Sequence, residues 1–312
     1  MVKDLRLAVC ISPAVLIACT TAASLCAQPP TPVIDGSAPL FRAAVQLGGR
    51  YAVAVTYEDP ILLWHGDILL TGNNPESAVS YEARAQHLQV PEELTPGVTP
   101  KLNGEAIGKL LDAYHSANPD GRRFKVLETG YGLHILPDTV RGQGGLPVPA
   151  TTPLDATVTV PGGERMATEH LQALSDAVAR ASGIHLILND GWVDQYYAAN
   201  GLMPSKNVLV PLLLGQGGDA AKRPYSFVWG GSNVTGREAL LSLLGGSATT
   251  LVWYVTCHPH PTPGRGYCML SVTPLRVPFT GLDGVAHERE LGFDRCNKCP
   301  PLPPPPPLRP QQ

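Results

Sequence analysis

The chain of 312 residues is 44% hydrophobic and only 16% charged, carries a net charge of −3, and holds 32 glycines and 32 prolines. That length suits two modest domains. So weak and slightly acidic a charge, with no basic run, gives no electrostatic case for a nucleic-acid partner.

The first residues, "MVKDLRLAVCISPAVLIACTTAASLCAQPP", open with Lys3 and Arg6, continue as an apolar run from Leu7 to Cys19, and end in small residues. This is the three-part pattern of a secretory signal peptide. The run is shorter than the ~20 apolar residues a membrane span needs. A buried N-terminal helix is the competing structural reading. Residues 1–27 are expected to be removed after Ala27, although Leu25 fits poorly at the third position back. The alternative is the lipobox-like "LIAC", after which Cys19 would carry lipid and hold the protein at a membrane. Cleavage after Ala27 removes Cys10, Cys19 and Cys26 and leaves Cys257, Cys268, Cys296 and Cys299. In an exported chain that even number suggests disulfides.

"PPTPVIDGSAP" reads as an extended lead-in. A short helix follows, with Phe41, Ala44, Val45 and Gly48 on one face, and then the apolar strand "YAVAVTY". Residues 58–100 read as irregular, with one strand possible in "ILLWHGDILL". Asn103 is placed to cap a helix from Gly104 to about Ala117, with Ile107, Leu110, Leu111 and Tyr114 as its apolar stripe. "RRFKVLETGYGLHILP" predicts a hairpin ended by Pro137. Residues 138–165 read as a linker that could hold one strand in "ATVTV".

The second half repeats this plan. Thr168 is the expected cap of "EHLQALSDAVARAS", whose stripe is Leu171, Leu174, Ala177, Val178 and Ala181, and Gly183 ends it. "IHLIL" predicts a buried strand and "NVLVPLLL" another. Thr235 and Glu238 stand at capping-box spacing before "REALLSLL". "TTLVWYVTC" and "GRGYCMLSVTP" form a hairpin ended by Pro274, and residues 281–312 read as a Cys- and Pro-rich extended tail. "EAIGKLL" (105–111) and "EALLSLL" (238–244) echo each other at an offset of 133, which also pairs Phe41 with Leu174, Val45 with Val178 and Val55 with Leu188. The expected class is therefore α+β. Two similar modules, 38–137 and 166–280, each run helix, strand, insert, helix, hairpin.

"LQALSDAVARASGIHLIL" followed by a capped "TGREALLSLL" resembles the short N-terminal domain of secretins and TonB-dependent receptors. Ser182–Gly183, Ile184–Leu188 and Glu238–Leu244 carry the match. The first half matches less closely, through "YAVAVTYEDP" and "EAIGKLLDAY", and the inserts are longer than that family carries. The resemblance implies a periplasmic or extracellular module that binds an envelope protein, with neither catalysis nor a cofactor.

"CHPHPTPGRGYC" (257–268) is the richest chemical stretch. Cys257 and Cys268 end and begin facing strands, so a cross-strand disulfide is natural. The alternative is a metal site of Cys257, His258, His260 and Cys268, although four ligands crowded along extended chain suit a tetrahedral zinc poorly. "CNKC" (296–299) runs into prolines, unlike a redox pair at a helix start, and is read as disulfide-forming. "TYEDP" (56–60) and "LNDGW" (188–192) hold paired acids and amides, but their Pro and Gly favour turns. "GGSN" (230–233) is read as a turn. "SNVT" would be a glycosylation site only in a eukaryotic secretory pathway, and "LPPPPPLRP" reads as a spacer. No nucleophile-bearing catalytic motif is present in the sequence.

Overall fold

A computed structural model describes residues 33–71, 80–94, 101–190, 193, 226–247, 249–260, 262, 266–280 and 286–291. Residues 1–27, read above as a signal peptide, and Cys19, "NVLVPLLL", Cys296, Cys299 and the Pro-rich end lie outside them. In chain order the elements are β1 (Val33–Gly36), α1 (Pro39–Tyr51), β2 (Val55–Glu58), β3 (Ile68–Thr71), β4 (Ser80–Ala83), β5 (Gln86–Gln89), α2 (Gly104–Ala117), β6 (Arg123–Glu128), β7 (Leu133–Arg141) and β8 (Pro147–Pro149). There follow β9 (Thr157–Met166), α3 (Ala167–Ser182), β10 (His185–Asn189), β11 (Ser226–Thr235), α4 (Gly236–Leu244), β12 (Leu251–Pro259), β13 (Gly266–Pro274), β14 (Arg276–Thr280) and β15 (Ala286–Glu290). The class is α+β.

One seven-stranded sheet organises the fold, in the order β10-β13-β12-β2-β7-β6 with β8 added beside β7. Within the first half β2 runs parallel to β7, and β7 antiparallel to β6. Within the second, β10 runs parallel to β13, and β13 antiparallel to β12. The local order is thus the same in both halves. They meet at β12 and β2, a parallel pair with Tyr254 opposite Tyr57 and Val255 opposite Glu58.

Side chains alternate across a strand, so β12 serves two cores. Its Val252 and Tyr254 pack with α1 and α2 residues such as Leu40, Leu47, Ile107 and Leu110. Its Leu251, Trp253 and Val255 pack with α3 and α4 residues such as Leu171, Leu174, Leu240 and Leu243. The helices of the first half therefore cover one face of the sheet, and those of the second half cover the other. Strand directions reverse between the halves while the left-to-right order is kept. A half-turn about an axis running across the strands produces both effects at once.

The helices start and stop where their chemistry dictates. Asn103 accepts from Ala106 N at 2.9 Å, and Thr235 and Glu238 form a reciprocal capping box. Gly183 ends α3 at φ 74°, in the left-handed region. The buried stripe of α2 (Ala106, Ile107, Leu110, Leu111) reappears in α4 as Ala239, Leu240, Leu243 and Leu244, an offset of 133.

Several local expectations are corrected. In α1 the buried face is Leu40, Ala43, Ala44, Leu47 and Gly48, whereas Phe41 is half-buried and Val45 is exposed. That face corresponds to Leu171, Leu174, Ser175 and Val178 of α3 at an offset of 131, because the sheet contacts set the helix's rotation. α3 begins directly from β9, so its cap is Met166, whose N–H donates to Glu169, and not Thr168. Ala181 is exposed. Pro137 does not end β7: the register slips opposite it, between Arg123 and Phe124, which accommodates its missing N–H, and β7 continues to Arg141. Residues 138–165 carry strands rather than a bare connection, because β9 pairs with β11 as a long ribbon. The stretch 58–100 holds three strands, with β3 paired to β4 and β5 to β1. β10 is only half-buried, since it stands at the sheet's edge. Residues 286–290 form a strand against β14, so the extended tail does not begin at 281.

Candidate functional site

The end of β2 places two acids back to back. Glu58 is fully buried and Asp59 is 5% exposed. Alternation sends their side chains to opposite faces, and each finds an arginine far away in sequence.

On the second-half face, Arg237 in the first turn of α4 grips Glu58 with two hydrogen bonds, Nε to Oε1 and Nη2 to Oε2, both 2.7 Å. Thr152 Oγ1 donates to Glu58 Oε2 at 2.7 Å, and Arg237 also donates to Asp155 at 2.8 Å. Thr152 and Asp155 are themselves fixed by a capping box around a single helical turn. A forked, charge-assisted pair of this kind is among the stronger interactions a buried carboxylate can make.

On the other face, Asp59 accepts from Tyr57 Oη at 2.6 Å, from Arg122 Nη1 at 3.2 Å and from Cys257 N at 3.1 Å. Arg122 is further held by Gln86 Oε1 at 2.7 Å and by the carbonyl of Ser37. Burial raises the Asp59 pKa, while Arg122, Tyr57 and Cys257 N pull it down without cancelling that rise. Burial also pushes the Tyr57 hydroxyl well above its ordinary value, and that of Tyr114 up to about 12. A third polar group lies inside the sheet. His134 is fully buried, stacked on Trp253 with centroids 5.1 Å apart, and 2.8 Å from each of two hydroxyls, those of Thr56 and Thr129. Burial, with a smaller push from Arg237, lowers its pKa to about 4.

Cys257 and Cys268 face each other in the β12–β13 register and are joined by a disulfide. A sulfur bonded to sulfur has no thiolate to offer a metal, so the alternative site of Cys257, His258, His260 and Cys268 lacks half its donors in this arrangement. The two histidines are otherwise engaged. His258 stacks on Tyr267 at 4.7 Å, and His260 Nδ1 accepts from Thr262 N at 3.0 Å. Among the described residues no group of three or more His, Cys, Asp or Glu is arranged around a common point.

The acids of "TYEDP" are thus buried ion-pair members rather than turn residues. Their partners lie 179 and 63 positions away, which no local pattern announces. The available signal was two adjacent acids directly after an apolar strand. Of "LNDGW", Leu188 and Asn189 end β10 rather than form a turn, Val193 N donates to Asp190 O at 2.8 Å, and residues 191–192 lie outside the described residues. "GGSN" is not a turn: it lies inside β11, where the register slips between Gly231 and Val234 and Asn233 adopts φ 55°. Compared with known proteins, the chain matches no family model, no curated protein and no solved structure.

Proposed function

We propose that the protein is an exported, non-catalytic module, built from two copies of one small α+β unit, that binds an envelope protein through the β10 edge of its sheet. The observation that carries this reading is β10. Among the described residues it pairs only with β13, and His185, Ile187 and Asn189 lie exposed along it. An edge strand presents unpaired backbone N–H and C=O groups, to which an extended segment of a partner can add as a further strand. The Cys257–Cys268 disulfide fits export, since such bonds persist in oxidising compartments. The common strand order and the shared stripes of α2 and α4 support the duplication. Together with the resemblance to the short N-terminal domain of secretins, they favour assembly over chemistry.

A photo-reactive residue at Ile187 tests the binding edge in the native host. One discrete adduct from that position, and none from the exposed Val45 of α1, is expected; adducts at both positions or at neither count against the reading. Intact mass tests export: the mature protein should begin at Gln28, and a native protein that retains residues 1–27 sinks that part. Lipid labelling of Cys19 would point to the lipoprotein form instead.

A further inference from the structure

A cleft of about 260 Å³ opens beside Arg122, with Arg84, Gln86 and Arg141 in its wall. Three donors converge on Gln86 Oε1, namely Tyr114 Oη, Arg122 Nε and Arg122 Nη2. They fix which way the amide points: its oxygen faces inward and its NH2 faces Gly121, where a Cβ would come within 2.7 Å of Nε2. Among the described residues nothing accepts from that NH2. Arg141 is equally constrained. Its Nε and Nη2 hold Asp67, and its guanidinium lies over the Trp64 ring at 4.0 Å, which leaves Nη1 without a partner among the described residues. Arg84 donates only from Nε, to Gly66 O at 3.2 Å, so its two terminal nitrogens are open among the described residues.

The wall charges follow from this. Arg84, Arg122 and Arg141 stand against Asp67 and Asp120. Arg141 is matched by Asp67, and Arg122 by the buried Asp59 behind it. The wall groups that remain are one carboxylate, Asp120, and a set of donors: the NH2 of Gln86, Nη1 of Arg141 and the terminal nitrogens of Arg84. Planar, forked N–H donors of this kind suit the oxygens of carboxylate or phosphate. The Gln86 amide and the Arg141 guanidinium are oriented before any ligand arrives, which lowers the entropy lost on binding, whereas exposed Arg84 is held only through its Nε. The volume lies below the range typical of drug-sized ligands, which restricts the occupant to a small anion.

We propose that this cleft is a binding site for a small oxyanion, either a di- or tricarboxylate or a free phosphate. This site is separate from the β10 edge and does not depend on it.

Calorimetric titration of the purified protein with citrate and, separately, with inorganic phosphate tests the site, with sodium chloride matching the ionic strength. Saturable one-to-one binding at millimolar concentration is expected for at least one anion, and the stronger binder identifies the ligand chemistry. Gln86→Glu keeps an oxygen for Tyr114 and Arg122 but replaces the NH2 donor with an acceptor. It should weaken binding by about tenfold or more without lowering the thermal midpoint. Arg84→Gln, on an exposed side chain, should weaken binding without touching the buried network, and it decides the matter if Gln86→Glu folds poorly. Saturable binding of neither anion, or wild-type affinity in Arg84→Gln, overturns the proposal.

Discussion

Glu58 and Arg237 show how single residues set the behaviour of this molecule. The carboxylate has no exposed surface, and its partner arginine stands on a helix of the other half. Removing the arginine alone leaves a buried, uncompensated charge, a change that typically costs about 3–5 kcal/mol. Arg237→Met should therefore lower the denaturant midpoint sharply, whereas the double variant Glu58→Leu/Arg237→Met should recover much of that loss; a double variant as unstable as the single one would contradict this account. His134 gives a second expectation, in pH. Its folded pKa of about 4 lies below the ordinary 6.5 of the unfolded chain. Between these values the unfolded state binds a proton that the folded state refuses. The share of stability that rests on a neutral His134 is thus fully present above about pH 6.5 and is lost toward pH 4, by roughly 3 kcal/mol in all. His134→Leu will be less stable at neutral pH, since it strands the buried hydroxyl of Thr56, but its stability should fall less between pH 6.5 and 4 than that of the wild type. Equal slopes in urea titrations would remove His134 from the explanation. None of this was legible in the sequence, because a buried ion pair between positions 58 and 237 has no period and no spacing to detect.

At the scale of elements the sequence was far more readable. The stripe of α2 and the caps at Asn103 and Thr235 follow from local hydrogen bonding and a 3.6-residue period, and they appear as expected. Where local rules misled, a neighbour had intervened. The rotation of α1 is set by the sheet beneath it, and β7 passes through Pro137 because the opposing strand shifts register there. β9 and β11 were largely hidden because neither alternates cleanly over a ribbon broken by two register slips. The β12–β13 hairpin supplies the prediction at this scale. Its disulfide spans a sequence separation of 11, short enough that closing the loop should contribute about 2–3 kcal/mol through the unfolded chain. Reduction should lower the melting temperature measurably, and a chelator should leave it unchanged. His260→Ala should be nearly neutral, whereas His258→Ala should cost up to about 1 kcal/mol, because His258 forms a stacked cross-strand pair with Tyr267. Destabilisation by the chelator and not by the reductant would favour the metal alternative.

At the scale of the whole molecule the question is whether the two halves can live apart. Each has its own helix pair and hairpin, which invites the view that they are independent beads. The packing contradicts that view. The core beneath α1 and α2 is completed by Val252, Tyr254 and Leu275 from the second half. The partner of Glu58 is Arg237, and Cys257 N donates to Asp59. Both acids, and the backbone join of β2 to β12, therefore fail together if the halves separate. A half-molecule covering residues 33–150 would expose the flank of β2 and the sheet face that carries Glu58, and would lose the core side chains of Val252, Tyr254 and Leu275 together with the Arg237 partner of Glu58. It should not fold to a stable unit. The intact protein should accordingly melt in one transition, with calorimetric and van't Hoff enthalpies equal, even though it holds two hydrophobic clusters. Two resolved transitions, or a half-molecule that folds cooperatively with native-like near-ultraviolet circular dichroism, would show that the shared sheet couples the halves only weakly. A single transition would show that β12, with alternate side chains in two cores, joins them into one cooperative body.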